Sequence, residues 1–213
     1  MRSLIVRLFL MVLPTMVKAQ LPAEHELAYR RGCVRIERGS ETRREVGSGH
    51  IMLRQGDSLL IATARHVVQD TTARDEPAPH GTVRLYNGTG ELPYRVMHLD
   101  HHDLAFIKVR EPSRLAPTPP LLRDAPIDVP VWVILPRKEY KTFPRGMDGQ
   151  LLWRSGSGLF FGAAIPGIEG GDSGSLVITS QGLIGMVLRG GDEVQCLDIG
   201  YISDRLDQLL LKR

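Results

Sequence analysis

The sequence predicts an all-β protein in two halves, and three observations predict it. Apolar runs of about five residues, rich in Val, Ile and Leu, recur between Gly, Asp, Asn or Pro. These runs do not alternate with amphipathic helical stretches, which argues against a parallel α/β fold. A proline-rich segment, REPSRLAPTPPLLRDAPIDVP, divides the runs into two groups of similar strand content.

The first group is VRIE (34–37), GHIML (49–53), LLIAT (59–63), TVRLY (82–86) and LAFIKV (104–109). The second is VWVIL (131–135), GLFFGA (158–163), SLVIT (175–179), LIGMVL (183–188) and LDIGYI (197–202). Pro112, Pro117, Pro119, Pro120, Pro126 and Pro130 lie between them. Proline lacks the N–H that a sheet ladder needs and disfavours helix, so 112–130 is expected to be a surface linker. It separates an N-terminal unit of about 28–111 from a C-terminal unit of 131–202. No sequence repeat relates the two. The closing SDRLDQLLLKR predicts a helix over 203–213, with Ser203 as N-cap, Asp204 in the first turn and Lys212 and Arg213 in the last. Ile202, Leu206, Leu209 and Leu210 would form its apolar face.

The first 19 residues have the pattern of a secretory signal: basic Arg2 and Arg7, an apolar run from Leu8 to Val17, and small or aliphatic Val17 and Ala19 before the expected cut. That run is about half the roughly 20 residues that a spanning helix needs. Secretion or export to a periplasm is therefore expected, with a retained anchor as the alternative. The remaining chain suits one large domain or two small barrels that share an interface. The formal charge of +3 comes from Arg2, Arg7 and Lys18, leaving the body near neutral with no basic block. Nucleic acid is thus not an expected partner, nor is a membrane beyond the signal segment. Cys33 and Cys196 are the only cysteines. In an oxidising compartment they would be able to pair, if the fold brings them together, and they are too few for a cysteine-based zinc site.

Acyl transfer by serine needs a hydroxyl, a base to take its proton and an acid that orients the base. Donors aimed at the developing oxyanion add roughly 3–4 kcal/mol of transition-state stabilisation. The loop EGGDSGSLV (169–177) offers Ser173 among glycines before a strand. LLIATARHVVQD places His66 directly after an apolar strand, as none of the other six histidines is placed. In HLDHHDLAFIKV, Asp103 immediately precedes a core-like strand. Asp100 is its rival, set among exposed-looking polar residues. The His98, His101 and His102 cluster with these acids raises a metal question, but one crowded loop is a poor cage, so no metal and no cofactor is expected.

TARHVV, HDLAFIKV and GGDSGS, in the order His, Asp, Ser, resemble the three signatures of trypsin-like serine proteases. The spacings, 37 residues from His66 to Asp103 and 70 more to Ser173, suit a compact member. GSGHIM at 47–52 and DLAFIKV look closest to the bacterial HtrA-type branch, without its PDZ domain. The resemblance spans about residues 30–205 and implies two six-stranded antiparallel β-barrels of the chymotrypsin kind. It implies Ser173 as nucleophile, His66 as general base and Asp103 as its orienter, with the N–H groups of Gly171 and Ser173 as oxyanion hole. Ser175, Ser48, Ser155 and Ser157 are then turn residues. The substrate would be a protein or peptide.

Two departures matter. Family members activated by N-terminal cleavage begin with IVGG, whose free amine pairs with the acid before the serine; nothing like it precedes His66, so Asp172 needs another partner. Gly167 stands where enzymes cutting after Lys or Arg carry an acid. With Ile168 beside it and Gly190 opposite, a small or mid-sized apolar P1 residue is expected, while Glu169 and Arg189 leave room for a charged preference. Two other functions are compatible with these residues: a catalytically silent binding module on the same fold, and an esterase using the same triad.

Overall fold

A computed structural model describes residues 23–40, 43–69, 81–86, 90–110, 121, 125–137 and 145–211. The expected signal segment, most of the proline-rich linker, and Lys212 and Arg213 lie outside the described residues.

Two closed six-stranded antiparallel barrels form the body. The first is built from β1 (Cys33–Ser40), β2 (Arg43–Gln55), β3 (Ser58–Ala64), β4 (Gly81–Leu85), β5 (Leu92–Leu99) and β6 (Leu104–Arg110). Around it the strands run β1-β2-β3-β6-β5-β4. The second comprises β7 (Pro130–Leu135), β8 (Arg145–Arg154), β9 (Phe160–Ala164), β10 (Leu176–Ile178), β11 (Leu183–Arg189) and β12 (Val194–Asp198), in the order β10-β11-β12-β9-β8-β7. Numbered from its own first strand, each barrel has the same cyclic order. The halves share a topology that their sequences do not advertise.

Strand periodicity divides the core in two. On β7, Val131, Val133 and Leu135 point into the second barrel, whereas Trp132 and Ile134 join the cluster that fills the first barrel and the seam between them. On β10 the same alternation sends Val177 inward and Leu176 and Ile178 to the seam. A pleated strand presents alternate residues to opposite faces, so two apolar faces make a near-continuous apolar run. This is why VWVIL and SLVIT read so clearly as strands.

Four expectations change. β5 and β8 were not anticipated, because LPYRVMHL and RGMDGQLLWR carry Pro, Gly and charge and lack a long apolar run. An unpredicted helix, α1 (Ala23–Gly32), precedes the first barrel, so residues 28–32 are helix and not barrel. The last apolar run is not all strand: β12 ends at Asp198, and α3 (Ile199–Leu211) starts four residues before the predicted Ser203 cap. Asp198 is the residue that caps it, taking the Gly200 N–H on Oδ1 at 2.7 Å, while Ser203 lies buried within the helix. Finally, the described end of the linker packs down: Ala125 is buried, and the main chain of Asp128 and Val129 bonds to Leu151 of β8.

The cysteines stay apart as free buried thiols. Cys33 lies at the seam, its Sγ–H donating to the Ile134 carbonyl at 3.7 Å, and Cys196 lies inside the second barrel. A bridge between them is not part of this fold.

Candidate active site

The register of β3 on β6 assembles the first half of the site. Ala64 pairs with Leu104, so the residues just beyond the two strands, His66 and Asp103, meet at the same barrel rim. His66 sits on a one-turn helix, α2 (Arg65–Val68), whose Val67 and Val68 are buried and hold it to the barrel. Asp103 ends the four-residue turn between β5 and β6 with φ 61°, a left-handed conformation that Asp tolerates better than most residues. Its backbone carbonyl takes the Arg65 N–H at 2.8 Å. Its carboxylate takes two bonds from His66: the backbone N–H on Oδ1 at 3.0 Å, and Nδ1 on Oδ2 at 2.8 Å. With Nδ1 carrying a proton toward the carboxylate, Nε2 keeps its lone pair.

The second half is the turn Glu169–Ser175 between β9 and β10. Asp172 N–H reaches back to the Glu169 carbonyl at 3.2 Å, and Gly171 at φ 96° makes that reversal possible. Ser175 N–H donates to the Asp172 carbonyl at 3.0 Å. Because the peptide is trans, this sends the Ser173 N–H the opposite way. Among the described residues, neither the Gly171 nor the Ser173 N–H has a protein acceptor. The Ser173 hydroxyl donates to the Leu188 carbonyl at 3.0 Å and is not bonded to His66.

The two halves are docked by β2. Ser48 N–H donates to the Ser173 carbonyl at 2.8 Å, and Ser48 Oγ approaches the Gly171 carbonyl at 3.4 Å. The Ser48 carbonyl in turn takes the Thr63 hydroxyl at 2.6 Å. Gly174 lies flat against this contact, since a Cβ there would stand 1.8 Å from the Ser48 carbonyl oxygen. Ser48 is thus a mid-strand residue that bridges the barrels, not a turn residue. Nothing local in its sequence signalled that, because its partners in the serine turn lie more than a hundred residues away.

His66, Asp103, Ser173, Ile168 and Gly190 all line one open cleft of about 760 Å³, with Arg65, Gln69, His101, Glu169 and Arg189 around them. Gly167 and Gly171 do not line it. Gly167 instead gives its carbonyl to the Arg137 guanidinium at 2.6 Å. A Cβ on Gly190 would lie 2.9 Å from Ile168 Cγ2, so the two walls of the expected specificity pocket are nearly in contact.

Two carboxylates beside the site are buried, and both were misjudged or left open by the sequence. Asp172 is 1% exposed and takes Arg137 on both oxygens: Nε on Oδ1 at 2.8 Å, and Nη2 on Oδ2. The Glu169 N–H adds a bond to Oδ2 at 2.8 Å. Asp100 is 5% exposed, more buried than Asp103, although His101 beside it is exposed as expected. It faces α3, not His66. The His102 N–H and the Tyr201 hydroxyl donate to its Oδ1 at 2.9 and 2.7 Å, and Arg205 Nε stands 3.3 Å from Oδ2. Burial pushes the Asp100 carboxyl up, but the His102 N–H, the Tyr201 hydroxyl, His101 and Arg205 outweigh it and hold it below the usual carboxylate range. The ligand atoms of Asp100, His101 and His102 do lie within 4.8 Å of one another. Arg205 already supplies positive charge there, and the Tyr201 hydroxyl occupies both Asp100 and His102 Nδ1, so the donor set does not suit a cation.

Paired barrels with an imidazole–carboxylate pair and a glycine–serine turn at their seam define a class, and comparison agrees. Residues 47–186 match the trypsin-like peptidase domain family, and the chain belongs to that family of peptidases. Among solved structures, the serine endoprotease from Yersinia pestis superposes with a TM-score of 0.69 at 21% identity, covering 89% of this chain and 68% of that one, which is a likeness of fold. No curated protein sequence matches.

Proposed function

We propose that this chain is a secreted or periplasmic endopeptidase that cleaves peptide bonds through Ser173, His66 and Asp103 by way of an acyl-enzyme. The observation that carries this reading is the doubly bonded His66–Asp103 pair facing the cleft that Ser173 also lines. The Ser173 hydroxyl leaves the Leu188 carbonyl by rotation about one bond and gives its proton to His66 Nε2 as its oxygen adds to the scissile carbonyl. Asp103 stabilises the resulting imidazolium. The oxyanion is received by the Gly171 and Ser173 N–H groups, which have no competing acceptor among the described residues. His66 then protonates the leaving amine, the C–N bond breaks, and water repeats the sequence to release the acyl group.

The near-contact of Ile168 with Gly190 narrows the pocket, which supports a small aliphatic P1 residue over a large or basic one. The leader's composition supports export. A silent binding module is the second reading, favoured by the bond that Ser173 Oγ makes to Leu188 in place of His66.

A fluorophosphonate probe and a peptide library decide between them. Wild type is expected to label at Ser173 and to cleave after Ala or Val, with labelling lost in Ser173→Ala and reduced at least 1,000-fold in His66→Ala. A folded wild type that neither labels nor cleaves establishes the silent reading.

A further inference from the structure

Asp172 is the most deeply buried acid at the site, and its partner is not a chain terminus. One side chain, Arg137, at the end of β7 and 35 residues upstream, takes both carboxylate oxygens through Nε and Nη2. The same Nη2 donates to the Gly167 carbonyl at 2.6 Å, and Nη1 lies 3.8 Å from the Glu169 carboxylate. The Glu169 N–H completes the shell on Asp172 Oδ2. With Asp172 1% exposed and both oxygens already bonded, a second cation has no access to it.

We propose that Arg137 is the positioning residue for the oxyanion turn and for the wall of the specificity pocket together, and that it makes the site competent without any contribution from the N-terminus. The inference rests on the proposed peptidase reading. Asp172 lies between the two residues whose N–H groups would bind the oxyanion, so fixing its side chain fixes the peptide planes on either side. A planar guanidinium bonded to a carboxylate at two points sets orientation as well as distance, which a single ammonium does not. The third bond, to Gly167, ties that orientation to the segment leading into Ile168. Donor turn and pocket wall therefore hang on one fork.

The test compares wild type, Arg137→Gln, Arg137→Lys and the double variant Arg137→Met/Asp172→Asn, each full length, by fluorophosphonate labelling rate, kcat, KM and melting temperature. Arg137→Gln is expected to label at least 30-fold more slowly and to lose kcat in proportion, with Arg137→Lys recovering part of the loss. The double variant leaves no unpaired buried carboxylate and keeps the fold even if Arg137→Gln does not. It is expected to regain melting temperature while labelling stays at least tenfold slow. Wild type fused at its N-terminus to a folded carrier is expected to label within twofold of the unfused chain. Normal labelling by a folded Arg137→Gln, full recovery in the double variant, losses that merely track the unfolded fraction, or a requirement for a free N-terminus overturns the proposal. A wild type that does not label overturns the peptidase reading itself, so the two failures are distinct.

Discussion

Each half of the candidate site rests on a buried aspartate next to the residue that would do chemistry, but the two are held differently. Asp100 starts the turn that ends in Asp103 and is met by a network: a backbone N–H from its own turn, the Tyr201 hydroxyl and Arg205 from α3, with three histidines nearby. Asp172, beside Ser173, is met by one bidentate guanidinium and one N–H. The turn of Asp103 is also secured by its own hairpin, since Asp100 N–H bonds to the Leu104 carbonyl at 2.7 Å across its base. The serine turn has no flanking hairpin, because it joins β9 and β10, which are not neighbours in the barrel. Hairpin pairing and a distributed network carry the first turn; the second is held by its own internal bonds, by backbone pairing of Gly174 and Ser175 with Val187 and by the contact with Ser48, but its buried carboxylate depends on a single long-range ion pair. The serine turn should therefore fail abruptly and the aspartate turn by degrees.

The largest effect is expected at Gly174. An added Cβ meets the Ser48 carbonyl oxygen at 1.8 Å, at a φ of 87° that side chains rarely adopt. Gly174→Ala should cost on the order of 3 kcal/mol and abolish labelling at Ser173, measured by urea unfolding and probe incorporation. An active, stable Gly174→Ala would mean that the docking of the two barrels at Ser48 is dispensable. A smaller effect is expected from Tyr201→Phe, which removes the hydroxyl shared by Asp100, His102 and Arg205. It should cost about 1–2 kcal/mol and reduce kcat only a few-fold, because the His102 N–H and Arg205 still hold Asp100. Loss of all activity there would erase the contrast between the two turns.

The smallest effect at neutral pH, and the clearest under acid, concerns a group outside both turns. His50 is fully buried against the Gly32 carbonyl, with Nδ1 at 3.0 Å and Nε2 unpartnered among the described residues. Burial pulls its pKa down from 6.5 to about 4, against an upward pull from the Gly32 carbonyl. The unfolded chain therefore takes up a proton below pH 6.5 that the folded chain refuses until about pH 4. Stability contributed by a neutral His50 is whole above pH 6.5 and falls as the pH drops, by about 2 kcal/mol between pH 7 and pH 5. His50→Gln should flatten that slope in urea melts at successive pH values. Asp100, held below the usual carboxylate range, contributes in the other window: its stabilisation is present above its unfolded pKa and is lost only at still lower pH. An unchanged slope in His50→Gln would place the acid lability in the anchors of the turns instead.

Much of this protein was legible before folding. Apolar runs with turn residues at their ends named nine of the strands and the end of a tenth, β12, because a strand with two apolar faces needs no distant information to be recognised. His66, Asp103 and Ser173 were legible because each sits beside a strand end in a short motif. β5 and β8 were not, since they pair by register and closure with little apolar signal of their own. Asp198 as the cap of α3 was missed for a related reason, as Ile199–Ile202 reads equally well as strand.

The sequence by itself determined the β-character, the division at the proline-rich segment and the identity of the three candidate catalytic side chains. Only the tertiary structure decided what holds them. Arg137 meets Asp172 across 35 residues, Tyr201 meets Asp100 across 101, and Ser48 reaches the serine turn across 123. Such contacts are set by barrel closure, strand register and the packing of one barrel on the other, and no local pattern encodes which distant side chain a buried carboxylate will find.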